Sequence, residues 1–289
     1  MPETIAAALA AAARTLAGAG LAEPRREALR LGAIAAGVTP GDLWLGRERT
    51  LDPDLDDRLT RAVLARAAGA PVAYATGRAS FRTIEVACDR RALIPRPETE
   101  GLVDLVLNGK GEGGRGRGGL AADLGTGTGC LALALAVEGD FDLVVAVERD
   151  PATAALARAN VARVAPPTPV AVREGDWLEP LGDARYRALV ANPPYLTEGE
   201  WDALDAAVRD YEPRGALASG PDGLDATRAI LAGAARRLAP GGVLAIEIDE
   251  RRADPVRELA GALGWRRVAI YDDLFGRPRY AVASMETRA

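Results

Sequence analysis

The second half of the chain alternates short apolar runs with segments of helical length, and no other feature of the sequence constrains the fold as much. These runs and segments lie at residues 120–124, 131–137, 143–147, 152–164, 188–191, 226–238 and 243–248. Such alternation is typical of βαβ units, in which parallel strands form a central sheet. Two further runs, 265–271 and 279–284, predict antiparallel strands that complete one edge. The sequence therefore predicts an α/β fold with a mostly parallel sheet.

The first part of the chain has a helical pattern instead. Apolar residues recur there at spacings of three and four, which predicts amphipathic helices in a small bundle, at residues 3–17, 23–36 and 55–68. The stretch from Ser80 to Ile94 has apolar residues on both sides of a polar turn at 89–91, which predicts a strand pair. We therefore expect a helical domain, a hairpin linker and an α/β domain at residues 1–78, 79–97 and 98–289.

A helix is predicted from Thr99 to Leu107, before a tract rich in glycine and charge at 108–119. That tract has no apolar residue to bury, so it predicts a mobile surface loop.

A glycine-rich turn with the sequence Asp-Leu-Gly-Thr-Gly-Thr-Gly follows the first predicted parallel strand, at 123–129. Glycine permits positive φ and close backbone approach, so the turn can lie beneath a ligand at the carboxyl edge of the sheet. A tight strand-to-helix connection is an alternative interpretation. The phosphate loop of a dinucleotide fold is another, although its third glycine would fall at Cys130. The candidate cofactor ligands in the turn are Asp123, Gly125, Thr126, Gly127 and Gly129.

Acidic residues follow the next two predicted strands. Glu148 comes directly after the run 143–147, where a carboxylate can accept hydrogen bonds from both hydroxyls of a ribose. Asp176 and Trp177 follow a strand predicted at 170–173. There Asp176 can accept a hydrogen bond from the adenine amino group, and Trp177 can cover the base. Each acid alone is compatible with a solvated strand end. Their order along one sheet edge predicts a cofactor that contains adenosine.

The tetrapeptide Asn192-Pro193-Pro194-Tyr195 follows the run 188–191 and therefore lies at the same edge. The Asn192 side-chain oxygen and the Pro193 carbonyl can each accept one N–H of a planar amide or amine, while the prolines stiffen the loop and Tyr195 packs on the acceptor plane. The sequence contains no histidine, the usual general base, so orientation of the acceptor must carry the chemistry. A rigid asparagine turn of no catalytic consequence is the alternative.

With these motifs the sequence resembles the glutamine-N5 methyltransferases of peptide-chain release factors, the HemK/PrmC family. The most specific element of the resemblance is Ile-Pro-Arg-Pro-Glu-Thr-Glu at 94–100, which is not expected in other methyltransferases that share the tetrapeptide. The remaining matching segments are Pro71–Gly77, Phe81, Asp123–Gly129, Asn192–Tyr195, Tyr211–Pro213, Ala216–Leu217 and Asp222–Leu224.

The resemblance implies a Rossmann-like class I methyltransferase domain with a mostly parallel, seven-stranded sheet, preceded by a helical domain that docks the protein substrate. It implies S-adenosyl-L-methionine as cofactor and the glutamine of a Gly-Gly-Gln loop in release factors as acceptor. The cofactor would be held by the glycine turn, Glu148, Asp176, Trp177 and Asn192. The substrate would be held by Asn192, Pro193, Pro194, Tyr195, Arg96 and Glu98.

The sequence departs from the family pattern in three places. Glu148 stands where aspartate is usual, which keeps the charge and lengthens the reach. Residues 247–249, with Arg251 and Arg252, stand where glycine and a later glutamine are typical. The tract 108–119 is longer than usual.

Other functions remain as alternatives. A glutamine methyltransferase of a ribosomal protein would share the fold and the catalytic logic. An adenine-N6 DNA methyltransferase also uses this tetrapeptide, but the formal net charge of −5 opposes nucleic-acid binding. A silent cofactor-binding docking module is a third alternative.

The remaining expectations concern metal binding, cellular location and oligomeric state. The two cysteines, Cys88 and Cys130, stand in unrelated contexts, so we expect no metal site. The amino terminus lacks a signal-peptide pattern, and charges or glycines interrupt every apolar run before it reaches the length of a membrane span. We therefore expect a cytoplasmic monomer that binds neither membrane nor nucleic acid.

Overall fold

The computed structural model describes residues 4–108 and 118–284. Within them the chain forms two compact units. The helical unit contains the described residues up to Arg78 together with Cys88–Arg90 and Asp205–Tyr211. The α/β unit contains Ala79–Ala87, Arg91–Leu204 and the described residues from Glu212 onward. The loop predicted at 108–119 lies, except at its ends, outside the described residues.

The α-helices are α1 (Ile5–Gly18), α2 (Pro24–Ala36), α3 (Pro40–Leu45), α4 (Pro53–Ala67), α5 (Val72–Thr76), α6 (Glu100–Leu107), α7 (Cys130–Glu138), α8 (Pro151–Val164), α9 (Glu198–Asp202), α10 (Ala206–Arg209), α11 (Asp225–Ala234) and α12 (Ala253–Ala262). Short 3-10 helices lie at Glu179–Leu181, Arg214–Ala216 and Glu250–Arg252. The strands are β1 (Arg78–Phe81), β2 (Ile84–Ala87), β3 (Leu120–Leu124), β4 (Leu143–Glu148), β5 (Val170–Glu174), β6 (Tyr186–Ala191), β7 (Leu238–Glu247), β8 (Arg267–Asp272) and β9 (Pro278–Ser284).

The helical unit contains the three predicted amphipathic helices as α1, α2 and α4, with small shifts at their ends. Thr4 and Asp52 accept backbone hydrogen bonds from the first turns of α1 and α4, which explains where these helices begin. The short helices α3 and α5 were not predicted, because neither is long enough to show a hydrophobic period. The core contains Leu9, Leu16, Leu31, Leu43, Leu55 and Leu59.

A segment distant in sequence, Asp205–Tyr211, also belongs to the helical unit. The Tyr211 hydroxyl donates to the Ala68 carbonyl at 2.7 Å, and the Arg90 guanidinium lies 4.3 Å from the centre of the Tyr211 ring. No pattern in the sequence predicts this assignment, because α10 is only one turn long.

The α/β unit is built on a seven-stranded sheet with the order β5-β4-β3-β6-β7-β9-β8. The five strands β3 to β7 are parallel to one another, and β9 runs antiparallel between β7 and β8. The predicted mostly parallel sheet with an antiparallel edge is thus confirmed. The strand order reverses at β3 and β6, and in such sheets ligands bind outside the carboxyl ends of the strands at the reversal.

Helices cover both faces of the sheet. Leu102 of α6 and Leu133 of α7 are buried on one face, and Ile230 of α11 and Val256 of α12 on the other. The side chains from Cys130 to Ala136 in α7 are all buried, which explains why this segment is apolar all round. None of the helices within residues 4–108 and 118–284 has the length and apolar character needed to cross a membrane.

Two predicted boundaries were wrong. The strand pair turns at Arg82 and Thr83, not at 89–91, and residues 92–94 form no strand. Arg82 takes a φ of 50° there, and its guanidinium donates to Glu138 at 2.7 Å, so a tertiary ion pair favours the tighter turn. The helix predicted to reach Leu238 ends at Ala234, because Leu238 already pairs with Tyr186 in the sheet.

Candidate active site

The glycine turn lies at the carboxyl end of β3, as predicted. Gly125, Gly127 and Gly129 have φ values of 76°, 57° and 84°, in the left-handed region that strains other residues. The amides of Gly125 and Thr126 both donate to the Val147 carbonyl at 2.9 Å, which fixes the turn to the end of β4. The turn is therefore held rigidly, with Gly125 exposed, Gly127 half-buried and Gly129 buried.

Asp123 supports this turn from inside the protein. Its side chain is buried and accepts hydrogen bonds from the Thr126 hydroxyl at 2.5 Å and from the Ala132 amide of α7 at 3.1 Å. Burial, with repulsion from Glu148, raises the pKa of Asp123 to about 7. The structure thus places the side chains of Asp123 and Thr126 against each other, beneath the glycines and not on the open face of the turn.

Glu148 meets the glycine turn directly. One carboxylate oxygen accepts from the Gly127 amide at 3.0 Å and the other from the Asp150 amide at 3.1 Å. Each oxygen keeps a further lone pair for a ligand hydroxyl. The half-buried carboxylate is therefore oriented before any ligand binds.

Trp177 forms a wall beside the same turn. A Cβ atom built on Gly125 would lie 3.1 Å from the ring carbon Cζ3 of Trp177. Trp177 itself has a φ of 43°, and the neighbouring Asp176 is exposed. The structure therefore brings Gly125, Gly127, Glu148 and Trp177 together at the carboxyl ends of β3, β4 and β5.

The tetrapeptide begins where β6 ends, next to β3. The amides of Tyr195 and Leu196 both donate to the Leu217 carbonyl, at 3.1 and 2.8 Å, which ties the loop to residues that follow it. Pro193 is buried, and Pro194 is half-buried. Burial, with repulsion from Glu247, raises the pKa of the Tyr195 phenol, so this group stays protonated and cannot serve as a base near neutral pH.

A chain of hydrogen bonds extends from the tetrapeptide into the core. The Asn192 amide nitrogen Nδ2 donates to the Thr99 hydroxyl at 2.9 Å, and this hydroxyl donates to Glu247 at 2.7 Å. Thr99 and Glu247 are only 3% and 2% exposed. Thr99 thus joins the segment 94–100 to the tetrapeptide.

Arg96 and Glu98, expected to bind substrate, both have partners within the chain. The Arg96 guanidinium lies 2.5 Å from a carboxylate oxygen of Glu212, whose side chain is 1% exposed. Glu98 lies 3.6 Å from the Arg277 guanidinium, and its carbonyl accepts from the Tyr280 hydroxyl. These contacts hold the segment 94–100 in place.

The departures at the end of β7 form an ion-pair cluster. Asp249 accepts from the Arg251 amide at 2.9 Å and pairs with the guanidinium of the same residue at 2.8 Å. Arg252 donates to Glu200 at 2.6 Å and to the Asp222 carbonyl at 3.0 Å. The cluster therefore links the loops that follow β6 and β7.

Sequence pattern does not identify three residues of this region as site residues: Thr99, Glu212 and Glu247. Glu247 ends a parallel strand, as Glu148 does, so the same pattern could have identified it. The sequence marks Thr99 only as part of the segment 94–100, and no local pattern predicts that Glu212 is buried. Within the described ranges, no three Cys, Asp or Glu side chains group in a way that would hold a metal ion.

The sheet order, the glycine turn and the carboxyl-edge tetrapeptide define a class I methyltransferase. Solved structures share this fold at low sequence identity. The hMettl16 catalytic domain matches with a TM-score of 0.58 at 16% identity, over 90% of this chain and 93% of that one. A methyltransferase from Pyrococcus furiosus matches with a TM-score of 0.52 at 16% identity, over 80% of this chain and 97% of that one.

The sequence comparisons define the family more narrowly. Residues 7–77 match the PrmC N-terminal domain, and residues 113–219 match the methyltransferase small domain. The release factor glutamine methyltransferase of Moorella thermoacetica is 39% identical over 97% of this chain and 98% of its own length. The release factor glutamine methyltransferase of Cereibacter sphaeroides is 38% identical over 96% of this chain and 97% of its own length. The chain belongs to the release factor glutamine methyltransferase family.

Proposed function

We propose that this protein methylates the side-chain amide nitrogen N5 of the glutamine in the Gly-Gly-Gln loop of peptide-chain release factors, with S-adenosyl-L-methionine as methyl donor. Membership of the family supports the reaction and the substrate. The observation that carries it is the orientation of Asn192: Nδ2 is bound to Thr99, and Oδ1 accepts no hydrogen bond from the described residues. A free acceptor atom thus lies at the carboxyl edge of the sheet, in the loop after β6.

The residues around the glycine turn have the chemistry to bind an adenosyl group. A side chain at Gly125 would crowd Trp177, so the missing Cβ keeps the backbone accessible beside the ring. Glu148 would accept the ribose hydroxyls, Asp176 the adenine amino group, and Trp177 would cover the base. Gly127 supplies backbone surface, while the buried N-cap residue Gly129, Asp123 and Thr126 maintain the shape of the turn. S-adenosylmethionine supplies an electrophilic methyl group on a sulfonium.

The tetrapeptide acts on the acceptor by orientation. A glutamine amide has two N–H groups, and the Asn192 Oδ1 and the Pro193 carbonyl supply two acceptors for them. Holding both N–H groups fixes the nitrogen in one direction, which lowers the entropic part of the barrier. Pro194 stiffens the loop and Tyr195 packs on the amide plane. Arg96 and Glu98 contribute to the substrate site by holding the segment 94–100.

We further propose that the helical unit docks the release factor and that the protein acts as a cytoplasmic monomer. The match of residues 7–77 to the PrmC N-terminal domain supports a role for this unit in the family. The net charge of −5 favours a protein acceptor over a nucleic acid.

Methyl transfer from labelled cofactor to a purified release factor tests the proposal. We expect label in the release factor and none in its Gly-Gly-Gln variant with Gln→Ala. Equal labelling of both would refute the acceptor, and label only in DNA or in a ribosomal protein would replace it.

Asn192→Ala tests the proposed role of the tetrapeptide. We expect turnover to be lost while the cofactor Kd stays within about twofold of the wild type, because Asn192 acts mainly on the acceptor. Asn108→Ala, which removes an exposed amide at the end of α6, is the control and should keep wild-type turnover. Loss of cofactor binding in Asn192→Ala would contradict the role.

A further inference from the structure

We infer that Thr99 and Glu247 are positioning residues whose directional hydrogen bonds decide which atom of the Asn192 amide faces the acceptor. The inference rests on the proposed function, because it concerns the same site. It assigns a role to the buried end of the hydrogen-bond chain that begins at the tetrapeptide.

The direction of each bond follows from the chemistry of the groups. An ionised carboxylate only accepts, so the Thr99 hydroxyl must donate its single proton to Glu247. Toward Asn192 the hydroxyl can then only accept. The amide must therefore present Nδ2 to Thr99, which leaves Oδ1 on the opposite side, free for an N–H group of the acceptor.

The alternative orientation would oppose the reaction. If the Asn192 amide turned over, its NH₂ group would meet the N–H groups of the glutamine, and donors would face donors. Asn192 has a nearly symmetric shape, so packing alone distinguishes the two orientations weakly. The hydrogen bond to Thr99 favours one orientation of the amide over the other. Because Thr99 and Glu247 are buried, water does not compete for this bond.

The surroundings hold Thr99 and Glu247 in place. The Tyr280 hydroxyl donates to the carbonyl of Glu98, next to Thr99 in the chain, while Tyr280 also pairs with Glu247 across β7 and β9. Three residues before Thr99, Arg96 pairs with buried Glu212. The two positioning residues are thus fixed by separate contacts.

The protonation state of Glu247 controls the arrangement. A protonated Glu247 can donate to the Thr99 hydroxyl, which can then either donate to Asn192 Oδ1 or accept from Asn192 Nδ2, so both amide orientations become possible. Burial raises the pKa of Glu247 to about 7; the facing Arg279 and Arg96 oppose the shift, and Glu98 adds to it. The other titratable groups facing Glu247 are the phenols of Tyr195 and Tyr280, which remain neutral near this pH because burial raises the pKa of both.

The test compares Thr99→Val, Thr99→Ser and the control Thr168→Val with the wild type, using a release factor as substrate. Thr99→Val keeps the shape but removes the hydroxyl, so we expect kcat to fall on the order of tenfold to a hundredfold. The cofactor Kd should change less than about twofold. Thr99→Ser should restore most of kcat. Thr168→Val, which removes another buried hydroxyl of the α/β unit, should leave kcat unchanged.

The pH profile separates positioning from a structural role. We expect wild-type kcat to fall as the pH drops below about 7, and we expect this limb to be absent in Thr99→Val. A merely structural Thr99 would lower the thermal stability of the valine variant and leave its pH profile as in the wild type. Unchanged kcat in a folded Thr99→Val would overturn the inference.

A measurement without acceptor distinguishes failure of the inference from failure of the proposed function. The side-chain amide signals of Asn192, identified by their loss in Asn192→Asp, should shift between pH 6 and 8 in the wild type, because the titration of Glu247 passes through Thr99. In Thr99→Val they should not shift. Asn192 amide signals that do not shift with pH in the wild type would overturn the inference. Absence of transfer to a release factor, with the signals shifting as expected, would refute only the proposed acceptor.

Discussion

The indole ring of Trp177 lies against the bare backbone of Gly125, so close that a methyl group at Gly125 would meet the ring at 3.1 Å. The two residues are far apart in sequence and come from turns that follow different strands, β3 and β5. Their contact brings an aromatic face to the glycine turn, where the adenine and ribose of the proposed cofactor would bind.

Gly125→Ala should weaken cofactor binding. The added methyl group would push Trp177 out of its place, and alanine at a φ of 76° is strained by about 1 kcal/mol. We expect the cofactor Kd, measured by isothermal titration calorimetry, to rise about tenfold, equivalent to about 1.4 kcal/mol.

Gly264→Ala separates the two effects in Gly125→Ala. Gly264 also has a positive φ, of 86°, but no atom lies within 4 Å of its added Cβ. This variant should show the same order of destabilisation in thermal unfolding and an unchanged cofactor Kd. Equal Kd values in the two variants would show that Trp177 does not form part of the cofactor site.

The stability of the protein should depend on pH through Asp123. Its pKa is about 7 in the folded protein and about 3.8 in the unfolded chain, so folding takes up a proton between these values. The contribution is fully present below about pH 4 and is lost as the pH rises through 7. At about 1.4 kcal/mol for each pKa unit, the loss amounts to roughly 4 kcal/mol.

Asp123→Asn isolates this contribution, because asparagine does not titrate. We expect urea unfolding to show that the free energy of unfolding of the wild type falls relative to Asp123→Asn between pH 5 and pH 8. Glu247 titrates in the same direction in both proteins and cancels in the comparison. A difference independent of pH would contradict the assignment.

The sequence predicted those features that depend on local pattern. Strands β3, β4 and β6 are mostly apolar because both faces of the sheet are covered, and the glycines, Glu148 and Asn192 lie at or directly after their carboxyl ends. Local pattern could not show the contacts between distant segments. The turn at Arg82 depends on Glu138 of α7, and the orientation of Asn192 depends on Thr99. The pairing of Arg96 with buried Glu212 shows the same limit, since the two residues are far apart in the chain.

Arg96→Met should destabilise the protein, because it leaves the carboxylate of Glu212 buried without its cation. We expect a loss of about 2–3 kcal/mol, somewhat less than for a fully buried pair, since Arg96 is partly exposed. Adding Glu212→Gln should recover part of the loss. Arg228→Met, which breaks an exposed and solvent-screened pair with Asp222, is the control and should leave the free energy of unfolding nearly unchanged.

The same variants test whether Arg96 also contacts the release factor. If its role is to hold the segment 94–100, the double variant should regain stability and kcat together, with KM for the release factor near the wild-type value. A KM that stays high while stability recovers would show that Arg96 binds the substrate directly.

Gly101 of α6 allows Tyr280 to reach Glu98, and Gly101→Ala should therefore be harmful despite its better helix propensity. The added Cβ would lie 2.3 Å from the Tyr280 hydroxyl oxygen, so the ring must move and its bond to the Glu98 carbonyl must break. We expect a loss of about 1–3 kcal/mol in thermal or urea unfolding, together with a lower kcat because Thr99 loses part of its support. Gly261→Ala in α12 is the matched control: no atom lies within 4 Å of its Cβ, and it should stabilise the protein by up to about 1 kcal/mol. If both Gly101→Ala and Gly261→Ala stabilised the protein, the position of the Tyr280 ring would not depend on the absence of a side chain at Gly101.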